Sequence, residues 1–231
     1  MKLYIINPDY GIASQDMKKR CHLLGAYVGN DVVLEMDCLT ETKVEINSAA
    51  DVIKAGPEIL KMGKMAEANG VDAVILYCFS DPAIEALREE LTIPVIGGAQ
   101  ASILLAPHIT RHTAVLLADS GRIPEKEWYL RTLGVESSRI SSIEAIHFHG
   151  LSIWDNRQKA LDQLIEKGIS LKENGAECII LGCLSFLGLA EPMEKAVGIP
   201  VIDPAAAAVA MAEAIVRLHL KTSKIAYPSV V

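Results

Sequence analysis

The chain has 231 residues, 51% of them hydrophobic and 22% charged, with a formal net charge of -7. That length and apolar content provide for a sizeable core in one large or two small domains and exclude a disordered chain. An acidic balance without a Lys/Arg cluster or aromatic-basic interleaving excludes nucleic acid as the expected partner.

The opening segment, Met1-Lys2-Leu3-Tyr4-Ile5-Ile6-Asn7-Pro8, carries an apolar run too short for a signal peptide and no small-residue cleavage site. The longest apolar stretch, Ala205 to Val216, is broken by Glu213 and is too short to cross a bilayer. A cytoplasmic location and no membrane partner are expected. Five cysteines, at 21, 38, 78, 178 and 183, form no C-x-x-C pair, and an odd count in a reducing compartment argues against a disulfide framework.

In chain order, strand-length apolar runs alternate with helix-period segments, the pattern of βαβ units around parallel sheets. The spacing predicts strands at Leu3–Asn7, Val32–Met36, Ala73–Tyr77, Pro94–Ile96, Thr113–Leu117, Ile143–Phe148, Cys178–Leu181 and Pro200–Ile202, and a last helix over Ala205–Leu220. The fold class read from this is α/β, with two pseudo-symmetric lobes, each a parallel sheet flanked by helices, and an active site in the cleft between them. The half boundary falls near Gly97-Gly98, giving residues 1–97 plus 208–231 to the lobe carrying Cys78 and 98–207 to the lobe carrying Cys183.

The halves are read from a duplication. Asn69-Gly70-Val71-Asp72-Ala73-Val74-Ile75-Leu76-Tyr77-Cys78 is echoed by Asn174-Gly175-Ala176-Glu177-Cys178-Ile179-Ile180-Leu181-Gly182-Cys183. A second echo follows each cysteine: Ile93-Pro94-Val95-Ile96-Gly97 and Ile199-Pro200-Val201-Ile202-Asp203. Asn-Gly ends a helix because Gly adopts a left-handed conformation readily. The strands that follow are nearly uninterrupted apolar, as expected when both sheet faces are covered.

In open parallel sheets ligands bind beyond the carboxyl ends of strands. Asn7, Cys78, Ala118-Asp119-Ser120 and Cys183 all fall there. Two thiols at equivalent strand ends suit a racemase, which takes a proton from one face of a carbon and returns one to the other, with base and acid exchanging roles in reverse. An ordinary thiol titrates near pKa ~8.5, so a thiolate needs help. Phe79-Ser80-Asp81-Pro82 reads as a helix start beside Cys78, and Leu184-Ser185-Phe186-Leu187 as a second one, with a weaker cap in Ser185, beside Cys183. Cys21, Cys38 and Cys178 lack the duplicated context and read as core residues.

Other motifs point to simpler readings. His147-Phe148-His149 places two imidazoles two residues apart, yet no third ligand is near, so a solvated strand end is the reading and no metal is expected. His22, His108, His112 and His219 read as surface groups. No G-x-G-x-x-G or Walker-type loop occurs, and no lysine stands in a recognisable pyridoxal-binding context, so no cofactor is expected.

With these residues in view, the sequence resembles the aspartate/glutamate/hydantoin racemase superfamily, most closely its hydantoin and allantoin racemase branch. The resemblance rests on Asn7-Pro8, Cys78-Phe79-Ser80-Asp81-Pro82, Leu181-Gly182-Cys183 and Ile199-Pro200-Val201-Ile202-Asp203-Pro204, and it covers nearly the whole chain. It implies cofactor-independent 1,1-proton transfer with Cys78 and Cys183 as the acid/base pair, a small-molecule substrate and a homo-oligomer. Phe79-Ser80, where the amino-acid branch carries Asn-Thr, tilts the expectation away from aspartate and glutamate. Asn7-Pro8-Asp9-Tyr10, Ala118-Asp119-Ser120 and Leu184-Ser185-Phe186 depart from the hydantoin branch.

The expected substrate is a 5-substituted hydantoin or related ureide, with Asn7, Asp9, Phe79, Ser80, Ala118, Asp119, Ser120, Leu184 and Ser185 as substrate-binding residues. Asp9 and Asp119 would favour a substrate N–H and disfavour a second carboxylate. The alternatives are an amino-acid racemase, a decarboxylase or maleate-type isomerase of the same fold, and, least favoured, a two-lobed metabolite-binding protein without activity.

Overall fold

The computed structural model describes residues 1–134, 139–148 and 152–229. The chain divides into two compact units, Met1–Gly98 with Ala208–Val231, and Ala99–Ala207.

The first unit contains a four-stranded parallel sheet of β1 (Lys2–Tyr10), β2 (Val33–Leu39), β3 (Ala73–Leu76) and β4 (Val95–Gly97), in the order β2-β1-β3-β4. Its helices include α1 (Ser14–Leu24), α2 (Ala49–Ala68) and α3 (Ile84–Glu90). Every residue of β3 is buried, as the apolar run requires when helices cover both faces. Ile6, Val74, Leu76, Ile59 from α2 and Leu87 from α3 share one core cluster. The C-terminal segment belongs to this unit: Glu213 accepts from the Gly29 N–H at 3.1 Å, and Thr222 donates its backbone N–H to the Thr92 carbonyl at 3.0 Å.

In the second unit α4 (Gly98–Leu105), which starts on the last residue of the first, leads into β5 (Thr113–Leu117), α5 (Ile123–Thr132), β6 (Ile140–Ala145), α6 (Arg157–Glu173), β7 (Cys178–Leu181), α7 (Ala190–Val197) and β8 (Val201–Ile202). α8 (Pro204–Arg217) closes the series; its residues from Ala208 onward belong to the first unit. The sheet is again parallel and four-stranded, in the order β6-β5-β7-β8. Strand for strand, this is the order of the first unit. β7 is fully buried, and its Ile179 and Leu181 join Leu164 of α6 and Met193 of α7 in one cluster.

Both helices before the duplicated strands end as their sequence dictates. α2 stops at Asn69 with Gly70 at φ 75, and α6 stops at Asn174 with Gly175 at φ 92. The sixth strand lies three residues earlier than its apolar run suggests, at Ile140–Ala145. Ile146 and Phe148 still donate backbone N–H groups to Leu117 and Ala118, at 2.9 and 3.3 Å, just past that strand's end. Among the described residues, no helix is long and apolar enough to cross a membrane.

Candidate functional site

Register makes the two units comparable residue by residue. Ile6 on β1 pairs with Leu76 on β3, and Leu116 on β5 pairs with Leu181 on β7. One step on, the Tyr77 N–H reaches the Ile6 carbonyl at 2.9 Å and the Gly182 N–H reaches the Leu116 carbonyl at 2.8 Å. Cys78 and Cys183 follow immediately, at one and the same position of each unit.

The turns after them also match. The Asp81 N–H closes on the Cys78 carbonyl at 3.1 Å, and the Phe186 N–H closes on the Cys183 carbonyl at 3.1 Å. In both, the cysteine is half-buried, the next residue (Phe79 or Leu184) is buried and the serine after it (Ser80 or Ser185) is half-buried. Each unit thus presents a Cys-apolar-Ser turn beyond the carboxyl end of a buried strand.

These turns replace the helix starts expected there. α3 begins only at Ile84, after Asp81 and Ala83 take left-handed conformations at φ 43 and 59, and no side chain caps it. The residue before a proline is pushed out of the right-handed helical region, which works against continuing a helix from Ser80 into Pro82. Beyond Cys183 the chain makes a single 3-10 turn, Leu184–Phe186, with Cys183 itself at its N-cap position; α7 starts at Ala190, and Ser185 caps nothing. With α3 only seven residues long and six residues from Cys78, a helix dipole is not the device beside that thiol.

In the first unit, β1 carries Asn7 and Asp9 to the same end as Cys78. Asn7 is 1% exposed; its Oδ1 accepts the Asp9 N–H at 3.2 Å, while its Nδ2 has no partner among the described residues. A buried amide donor left unpaired costs about 1–3 kcal/mol, which marks it as a group kept for something other than stability. Asp9 accepts the Ile46 N–H at 3.0 Å. Burial raises its carboxyl above the usual carboxylate range, against the opposing effects of that hydrogen bond and the Arg20 charge.

Arg20, absent from the expected site, is 5% exposed on α1, with its guanidinium 5.4 Å from the centroid of the Tyr77 ring. Its polar α1 neighbours mask it in the sequence, where nothing marks it as buried.

In the second unit, Ala118 and Asp119 are half-buried and Ser120 is exposed, all just past β5. Three residues beyond Leu116, Asp119 stands where Asp9 stands beyond Ile6. Its Oδ1 accepts the Gly121 N–H at 2.7 Å and caps the 3-10 turn Ser120–Arg122. Gly182 is required by close approach: a β-carbon there would lie 2.3 Å from Leu117 Cδ2 and 3.2 Å from the Leu116 carbonyl oxygen. The segment after Cys183 is tied at its far end, where Arg157 Nη2 donates to the Leu187 carbonyl at 2.6 Å and Asp203 Oδ2 accepts the Gly188 N–H at 2.9 Å. Burial pushes the Asp203 carboxyl up, opposed by its backbone donors and by Arg157.

The remaining cysteines differ in kind. Burial pushes Cys178 up to about 12 and Cys21 up to about 11, the latter aided by Asp37 and Glu35. Both therefore stay protonated at neutral pH and are poor nucleophiles or bases. Cys38 is buried and its Sγ lies 3.5 Å from the Ile12 carbonyl. His147 is exposed, with its backbone N–H donating to Gln163 Oε1 at 3.1 Å; His149 lies outside the described residues.

Comparison with known proteins bears on the family and the fold. Residues 3–212 match the family described as Asp/Glu/Hydantoin racemase. The chain is 33% identical to the hydantoin racemase of Rhizobium meliloti, over 100% of this chain and 96% of the relative. It is 30% identical to the hydantoin racemase of Pseudomonas sp. (strain NS671), over 97% and 90% of the two chains. Among solved structures, the allantoin racemase from Klebsiella pneumoniae matches with a TM-score of 0.90 at 26% identity, covering 100% of this chain and 94% of that one.

Proposed function

The chain belongs to the Asp/Glu/Hydantoin racemase family, and from that premise we propose that it racemises a 5-substituted hydantoin or a related ureide without a cofactor, using Cys78 and Cys183 as its acid/base pair. The observation that carries this reading is the Cys-apolar-Ser turn repeated at one register position in both units. A 1,1-proton transfer needs two groups of matched chemistry, because each must act as base in one direction and as acid in the other. One thiolate takes the proton from the carbon, leaving negative charge on the adjacent carbonyl oxygen; the other thiol returns a proton to the opposite face.

The Asn7 amide is offered as the donor to that oxygen. It is buried, it has an N–H to give, and a donor already in place costs no reorganisation as charge develops. Ser80 and Ser185 are offered as further donors, one in each turn. Phe79 and Leu184 are buried and support the turns from within, while Asp9 and Asp119 disfavour a second carboxylate and so a dicarboxylic amino acid.

Support for the ureide class comes from the relatives, two named hydantoin racemases and one solved structure named allantoin racemase. The test is a polarimetric and solvent-deuterium exchange panel of 5-substituted hydantoins, allantoin and free amino acids, run without added cofactor. The proposal expects a hydantoin or allantoin to be turned over best; glutamate or aspartate as the best substrate would contradict it.

A further inference from the structure

A carboxylate stands near each cysteine turn, one borne by the turn itself and one by the end of a neighbouring strand. On β4, Ile96 pairs with Ile75, and on β8, Ile202 pairs with Ile180. The next residues, Gly97 and Asp203, are therefore equivalent. In the first unit the Asp81 carboxyl lies on Gly97: a β-carbon there would sit 2.2 Å from Asp81 Cγ and 2.3 and 2.6 Å from its oxygens. Asp81 is 3% exposed and closes the Cys78 turn through its own N–H.

In the second unit the position of Asp81 is taken by Phe186, fully buried in the core, and the carboxylate arises instead from the strand end. Asp203 Oδ2 accepts the Gly188 N–H at 2.9 Å, while Oδ1 accepts from Ala205 and Ala206 at 2.9 and 3.3 Å in the first turn of α8. One oxygen anchors to the helix and the other holds the segment that Cys183 begins.

We propose that Asp81 and Asp203 are equivalent positioning residues, each fixing one cysteine turn against the end of the neighbouring strand. This rests on the reading that Cys78 and Cys183 exchange the proton. Asp203 holds its segment through backbone N–H donors and Asp81 holds its turn by the contact of its carboxyl with Gly97, and proton transfer is sensitive to misplacement of about an ångström. Neither residue touches the reacting carbon; each acts through its turn.

Asp203→Asn keeps the shape but converts one accepting oxygen to a donor, so either the Gly188 bond or the α8 bonds are lost. Asp81→Ala removes the carboxyl that lies on Gly97, and Gly97→Ala displaces the same carboxyl from the other side. The first readout is loss of the α-proton to D2O from each enantiomer of 5-isopropylhydantoin. Asp203→Asn is expected to slow it about 10-fold or more from the enantiomer served by Cys183, with little change from the other. Asp81→Ala and Gly97→Ala should give the reverse asymmetry.

The second readout is site-resolved alkylation by iodoacetamide, which does not depend on turnover. Asp203→Asn should speed labelling of Cys183 about threefold or more and leave Cys78 unchanged, with the first-unit variants doing the opposite. Equal slowing of both enantiomers, or labelling rates that do not move separately, would overturn the positioning role. Selective labelling without any wild-type proton exchange would instead uphold the positioning role and reject the racemase reading.

Discussion

Asn7 and Leu117 occupy one register position in the two sheets, each a single residue past the pair that aligns the strands, Ile6 with Leu76 and Leu116 with Leu181. Both are buried, but the first unit places an amide where the second places a hydrocarbon of similar size. The scaffold plainly accommodates leucine at this position, so asparagine is not there to fill space.

Asn7→Leu removes a buried donor that has no partner together with the oxygen that accepts the Asp9 N–H, so thermal stability is expected to change by no more than about 1 kcal/mol. Racemisation should fall by about 10²-fold, the scale of losing one preorganised donor to a developing oxyanion. Thermal denaturation alongside polarimetry separates the two effects. A variant as active as the parent would remove Asn7 from the site.

Gly182→Ala tests the close approach that sets Cys183 at its strand end. The added methyl meets the Leu116 carbonyl oxygen and the Leu117 Cα as well as a movable side chain, and backbone does not yield cheaply. A loss of about 1–3 kcal/mol is expected, as for other overpacked core positions. Urea denaturation provides the measurement; a midpoint equal to the parent's would show that the strands part without cost. Tyr77, at the equivalent position of the first unit, carries its ring toward Arg20 instead.

Much of this organisation is legible in the chain. Asn69-Gly70 and Asn174-Gly175 announce two helix ends, and the buried runs after them announce two strands, because backbone handedness and two-sided burial both act locally. The turns themselves are not legible. Ser80-Asp81-Pro82 has the composition of a helix cap, yet Asp81 turns left-handed and lays its carboxyl against Gly97, a neighbour known only once β4 is paired with β3. Arg20 and Arg157 escape notice for the same reason, since an arginine engaged with its own fold is indistinguishable in sequence from a solvated one. Aligning Gly97 with Asp203 would have hinted that a carboxylate belongs at that junction.

Glu58 on α2 gathers the backbone N–H groups of Thr40, Glu41 and Thr42 at 2.7, 3.0 and 2.7 Å. Burial alone would raise its carboxyl, but these donors overcome it and hold the group down to about 2 from 4.5. A carboxyl depressed in the folded state adds stability that is complete above pH 4.5 and is lost as the pH falls from there toward 2. Glu58→Gln should therefore be less stable than the parent by about 2 kcal/mol at pH 7. That gap should close progressively below pH 4.5. Chemical denaturation at pH 7, 4 and 3 follows it, and a gap independent of pH would assign the effect to packing.

The pairing of Cys78 with Cys183 is tested most directly by Cys78→Ser and Cys183→Ser, each confirmed as folded by circular dichroism and assayed by polarimetry on the best substrate of the wild type. Each variant is expected to lose racemisation by about 10³-fold or more, within the range that general acid–base groups contribute. Each should still exchange the α-proton of one enantiomer with D2O, and the two variants should retain opposite enantiomers. Either variant racemising at close to the parental rate would contradict the account.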